Sequence, residues 1–421
     1  MKKIHLRKGF TKVALIAMLA TTAGAVLAQQ AAQAEGVATE EVVKVEGATV
    51  VTNFAELKAA LKNASVTAIE VADNIEFTGA ITGVPMRDIQ MYSNPGVTIN
   101  LNKYYISAAI SSKNSATFTL TGADVSVTKR SLGTFFKGCL GWDFVSKDNV
   151  FNGETFVQLD KGTLTFEGEN SFDTEDEIGW VKNVVFAENS KVTGVASNSV
   201  HDRAAFKFKV ADGQAIVKNG AVVDLEVKNK LHPVFGGYIN KIMVEDNASV
   251  KIVAEGPVAT MTKSLKGEVA EINAGSKAVV DFQSTSATKQ TLTLPKGGSQ
   301  VNLSRGATFN VVGAAKTGVI SSATDTAFNI DRSKSVVIEN TNLAAPLFTK
   351  TSLKTTVAID KPSRVRVYDR QGAVQTTWNI KGSSFIVNKG ATASVDSSNA
   401  DFVANLKMQD YSKFELLSAT N

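Results

Sequence analysis

Clustered carboxylates, histidines and thiols are the side chains to look for first, because most protein chemistry needs them close together. The densest acidic run of the 421-residue chain is Asp173-Thr-Glu-Asp-Glu177, in which Asp173, Glu175, Asp176 and Glu177 are the only candidates for a metal ion. Calcium takes several oxygens converging from one loop. This run lacks the spaced Asp/Asn/Gly pattern of a dedicated calcium loop, so a solvated turn is the expectation. Beyond residue 34 the chain has two histidines, His201 and His232. A Ser-His-Asp triad depends on geometry, and no nucleophile-elbow sequence supports one. No Gly-rich phosphate loop or zinc-type Cys/His spacing occurs either. The reading is therefore of a chain with no catalytic residues and no cofactor.

Aromatic residues are the second resource. Ten Phe or Trp fall between Phe135 and Phe186, out of 31 aromatics in the chain. Phe135, Phe136, Trp142 and Phe144 lead this group, and residues 129–157 are expected to form a loop inserted between repeats. Such a loop would offer ring faces to a glycan or a protein partner. The alternative is that the rings stack inside the fold.

The elements that would position these residues come from a repeat. Ala215-Ile-Val-Lys-Asn-Gly-Ala-Val-Val-Asp-Leu, Ile242-Met-Val-Glu-Asp-Asn-Ala-Ser-Val-Lys-Ile and Val301-Asn-Leu-Ser-Arg-Gly-Ala-Thr-Phe-Asn-Val share one pattern. Anchored on its central Gly-type position, it recurs at Gly162, Asn189, Gly220, Asn247, Gly275, Gly306, Ser333, Pro362 and Gly390. Weaker copies sit at Asn74, Gly96, Gly122 and Tyr411. From Gly220 onward, the positions three and five residues to either side of each anchor are all apolar. A period of two puts them on one buried face of a strand at each side of a turn. Gly, Asn and Pro suit the turn itself. One strand–turn–strand unit per ~28 residues predicts an all-β fold, a parallel β-solenoid of about 12–13 coils over residues 65–417. An antiparallel sandwich is the competing architecture.

Before the coils, Asn53 with Glu56 three residues on reads as a helix start. Phe54, Leu57, Ala60 and Leu61 form its apolar stripe. A short helix over 53–64 is expected to cap the first coil, so that residues 53–421 make a single domain. At the other end the last copy closes at Leu416 with no cap behind it, which leads us to expect a longer natural protein.

Residues 1–34 read as a secretory signal peptide. Basic residues precede the apolar run from Val13, and Ala32-Gln33-Ala34 offers cleavage after Ala34, with a linker over 35–52. The run is too short and too rich in Ala, Thr and Gly for a membrane span, so no membrane association is expected after cleavage. The net charge of +5 resides wholly there: the signal carries five Lys or Arg and no acid, leaving 40 basic against 40 acidic residues. A neutral body lacks the cationic surplus that nucleic acid demands. Cys139, the sole cysteine, excludes an intrachain disulfide.

The signal, Val50-Val-Thr-Asn-Phe-Ala-Glu-Leu-Lys-Ala-Ala-Leu and Ile69-Glu-Val-Ala-Asp-Asn-Ile-Glu-Phe together resemble the pectate-lyase-like adhesive domains of Firmicutes surface proteins. The resemblance implies a right-handed parallel β-helix displayed on a Gram-positive cell, with adhesion and no known catalysis. True pectate lyases and polygalacturonases share the fold, and catalytic strings such as Gly-His-Gly and Arg-Ile-Lys are missing here. The basic-proline stretch Lys361–Arg366 coincides with a repeat turn. The chain is thus expected to be a secreted or cell-surface, non-catalytic adhesin binding glycans or host matrix proteins. A polysaccharide lyase or hydrolase is the alternative, and a structural spacer is a third reading.

Overall fold

A computed structural model of the chain describes residues 45–127, 134–197, 203–295, 299–322, 326–331 and 333–342, and beyond them the strands within 355–417. Residues 1–34, expected to be a signal peptide cleaved after Ala34, lie outside the described residues.

The alternating apolar pattern folds as an all-β, right-handed parallel solenoid with coils of about 27 residues. Every pairing among the described strands is parallel, each strand lying against its counterpart one coil away. Each coil contributes to three stacks. The first holds Thr49–Val51, Ala68–Val71, Ile89–Ser93, Ala116–Thr121 and Trp142–Lys147 in order. The second is a sheet of fourteen described strands running from Ile75–Glu76 to Lys413–Leu417. The third takes Ile106–Ala108, Thr134–Lys137, Thr155–Gln158 and Gly179–Val181. The long strands Phe206–Val217 and Phe235–Val244 serve the third stack with their first residues and the first stack with their last, bending at the register shift around Gly213.

Inside, like residues lie over like. Val192, Val223, Val250, Val280, Phe309 and Val336 form one buried column in successive coils. Burying each such side chain contributes about 1.5–3 kcal/mol relative to exposure. A parallel stack needs only that the same face turn inward at each level, which the period of two ensures.

The corner leading into the second stack repeats with a left-handed backbone. Gly96, Gly122, Asp148, Gly168, Asn189, Gly220, Asn247, Lys277 and Gly306 occupy it, with φ between 56° and 79°. This corrects the sequence anchors in two places. Ile242 pairs with Ile272, which puts the corner at Lys277 rather than Gly275. Both positions have the same parity, so the apolar pattern could not separate them. Between Gly122 and Asn189 the corners are Asp148 and Gly168, not Gly162. Asp tolerates the left-handed region better than most residues because its short polar side chain bonds locally. Here Asp148 Oδ1 accepts the Glu169 N–H at 2.8 Å. A β-carbon at Gly168 would collide with that same carboxylate.

The long gap seen in sequence is consequently two compact coils, not a loop insertion. Thr134–Lys137, Trp142–Lys147, Val150–Gly153 and Thr155–Gln158 are strands in the three stacks.

The one described helix is Phe54–Lys62. Asn53 caps it, its side chain accepting the Glu56 N–H at 3.1 Å, while Glu56 accepts the Thr52 N–H at 2.8 Å. Leu57, Ala60 and Leu61 are buried against the first strands. Among the described residues no helix is long and apolar enough to cross a membrane.

Candidate functional site

The expected aromatic site is in the core. Phe135, Phe136 and Phe144 have no exposure and Trp142 has 1%. Phe118 and Phe144 stack at 5.5 Å from adjacent coils, as do Phe135 and Phe156 at 5.9 Å. The Trp142 indole N–H, the ring's one polar group, donates to the Ala109 carbonyl at 2.7 Å inside the fold. These rings pack the short coils and present no face to a ligand.

The acidic run is not the expected solvated turn. Asp173 points outward from the strand Glu169–Thr174, whereas Asp176 and Glu177 are buried just past it. Alternation along the strand and the turn that follows thus sends the carboxylates in different directions. Among the described residues no group of three or more His, Cys, Asp or Glu is arranged to hold a metal ion. His201 lies outside the described residues. His232 is a turn residue whose N–H donates to Asn229 Oδ1 at 2.9 Å. Of the Lys361–Arg366 stretch, only Val365 and Arg366 are described, in the strand Val365–Asp369.

Asp176 and Glu177 meet other charged groups on the flank of the third stack. Register places Ser107, Lys137, Gln158, Trp180 and Lys207 in one outward-facing row across successive coils. Trp180 sits mid-row, half-buried. Lys207 and Lys209 alternate outward from one strand, with Nζ atoms 5.1 and 4.5 Å from the Trp180 ring centroid. Arg203, entering that strand, brings its Cζ to 5.0 Å. Three cations therefore converge on one ring. One coil pair away, Lys137 Nζ lies 4.1 Å from the Tyr105 centroid.

Carboxylates support this layer from below. Arg203 Nη1 pairs with Glu177 Oε1 at 3.2 Å, and Glu177 Oε2 accepts the Thr155 hydroxyl at 3.1 Å. Burial, and then the adjacent Glu177, push the Asp176 carboxyl up to about 8, so it is predominantly protonated at neutral pH. Burial lowers the Lys207 ammonium, with further lowering from Lys209 and Arg203. The crowd of like charges makes an anion welcome here. An exposed anionic group could pair with the ammonium groups while an apolar face lies on the indole.

Reading along the sequence did not single out Trp180, Lys207 or Lys209. The available signal was Phe206-Lys-Phe-Lys, an alternating strand with both lysines on one face. Trp180 joins them only through the stacking of coils.

Residues 48–173 match the model of the family described as "Putative pectate lyase-like adhesive domain". No curated protein and no solved structure matches the chain. The family match and the stacked parallel coils together fit a pectate-lyase-like β-helix.

Proposed function

We propose that this pectate-lyase-like β-helix is an exported, non-catalytic adhesive module that holds anionic ligands on its Trp180 flank. The observation that carries this reading is the convergence of Arg203, Lys207 and Lys209 on one half-buried indole. A carboxylated or sulfated glycan of a host surface or matrix suits the site, since it offers both anionic groups and apolar ring faces. The formally neutral chain after the signal still argues against nucleic acid as partner. In this picture the Phe54–Lys62 helix protects the first coil's strand edge, and residues 1–34 direct export.

Family similarity favours adhesion, and the burial of the acids favours it further. Glu177 has no solvent exposure and Asp176 only 2%, so neither is open to a sugar or to calcium as a lyase would need. The lyase reading is retained because carboxylates and cations share this flank.

Both readings are tested on residues 35–421. Binding to heparin, hyaluronan and polygalacturonate, against neutral dextran, should favour an anionic chain. Lys207→Gln with Lys209→Gln should then lose about tenfold or more in affinity. Equal binding of dextran, or no loss in that variant, rejects the flank. Unsaturated ends released from polygalacturonate with calcium, and abolished by Arg203→Gln, would replace adhesion by lyase action.

A further inference from the structure

A second surface feature lies away from that flank, at the corner between the first and second stacks. It is a shallow groove of about 750 Å³ crossing four coils. Gly275 lies on its floor. Gly275 is not in a left-handed conformation, so what the glycine provides is space: a β-carbon there would collide with Asp246 Oδ1 and its backbone.

One wall is a ladder of amides. Asn273, Asn302 and Asn329 occupy the same register position in successive coils. Asn329 Nδ2 donates to Asn302 Oδ1 at 2.7 Å, and Asn302 Nδ2 donates to Asn273 Oδ1 at 2.7 Å. Asn273 Nδ2 continues the chain to Glu271 Oε2 at 3.0 Å, and Lys241 balances that carboxylate at 3.1 Å. An amide has two N–H groups and two acceptor lone pairs. The ladder occupies one of each on Asn302, so its alternating donors and acceptors recur at the strand spacing of ~4.8 Å.

At the corner of the two preceding coils the chemistry repeats. Asn247 Nδ2 donates to Asn219 Oδ1 at 3.1 Å, and Asn219 Nδ2 to Glu188 Oε1 at 3.3 Å. Met243, in the coil before Asn273 and at the same register position, continues the ladder's row as an apolar patch. The lining contains no Lys or Arg, and its Glu245 is paired with Lys218 at 2.7 Å. With Glu245 and Asp246 as its only charged lining residues, the groove disfavours a phosphate, sulfate or uronate. Sugar hydroxyls, each both donor and acceptor, match both sets of amides.

We propose that this corner groove is a second binding site, taking a short neutral oligosaccharide laid along the stack, with its hydroxyls bridging the amides of Asn273 and Asn302 to those of Asn219 and Asn247. Three coil intervals give a floor of roughly 14 Å, room for a few pyranose rings.

The test titrates residues 35–421 with cellohexaose, maltohexaose and mannohexaose at up to millimolar concentration, by calorimetry and by ligand-observed NMR. At least one should bind, and Asn302→Leu should weaken it by about tenfold, the loss expected when hydroxyls lose their partners. Ser304→Gln, which narrows one end of the groove, should weaken it comparably in a protein of unchanged circular dichroism. Absence of binding by all three sugars, or unchanged affinity in Ser304→Gln, overturns the proposal.

Discussion

Arg203 Nη1 lies 3.2 Å from Oε1 of Glu177, a carboxylate with no solvent exposure, while the Arg203 guanidinium also packs 5.0 Å from the Trp180 centroid. One partly exposed cation thus neutralises a buried charge and forms part of the surface layer above it. Arg203→Met should leave Glu177 charged and uncompensated, a change that costs on the order of 2–4 kcal/mol. Urea denaturation would measure it. Adding Glu177→Gln should restore most of the loss, because the orphaned charge is then gone. A double variant as unstable as the single one would show that the arginine acts through packing.

Asp176 makes stability depend on pH in an unusual direction. Its folded carboxyl is raised from 3.8 to about 8, so across that window the folded state holds a proton that the unfolded chain has released. Stability from this group is therefore present at low pH and is lost as pH rises towards 8. Asp176→Asn removes the titration. Relative to that variant, the native protein should lose stability between pH 5 and pH 8, read from urea midpoints at the two pH values. A parallel pH dependence in both proteins would refute the assignment.

The buried rings should matter for folding and not for adhesion. Phe144→Ala leaves a cavity beneath Phe118 and should cost about 3–5 kcal/mol. Binding by the fraction that remains folded should match the native protein. A selective loss of ligand affinity at unchanged stability would return these rings to the binding surface.

Asp148 and Gly168 form a matched corner. Gly168→Ala places a β-carbon at φ 60° and against the Asp148 carboxylate. The conformation alone costs about 1–2 kcal/mol, and the collision adds to it. Asp148→Gly keeps the left-handed backbone and loses only the bond to Glu169 N, so it should be the milder change, near 1 kcal/mol. Thermal melts of the two variants should rank in that order.

Export is testable at the chain's start. N-terminal sequencing of the protein recovered from the medium or cell surface should begin at Glu35, after Ala32-Gln-Ala34. Recovery with an intact Met1 would replace the signal peptide by a retained anchor.

Much of the architecture was legible in one dimension. Stacked parallel coils satisfy their backbone with the same contact at every level, so the apolar alternation around Gly220, Asn247 and Gly306 already specified an all-β solenoid with a coil near 28 residues. The start of the helix was equally local, since Asn53 and Glu56 bond to the backbone beside them. Corners without a glycine were harder. Asp148 and Lys277 adopt the left-handed backbone with no distinctive sequence mark, and the hidden corner at Asp148 made two coils look like a loop.

What the sequence by itself determined is the repeat, the buried parity of each strand and the neutral charge of the chain beyond residue 34. Only the tertiary structure decided which side chains meet. Trp180, Lys207 and Arg203 are adjacent because successive coils superpose them, and the same superposition lays Asn302 on Asn273 and draws Phe135 and Trp142 inward. Those contacts join residues some 20 to 30 positions apart, and their register depends on each coil's own length. That length varies from corner to corner, so the neighbours across coils could not be assigned until the stack itself was known.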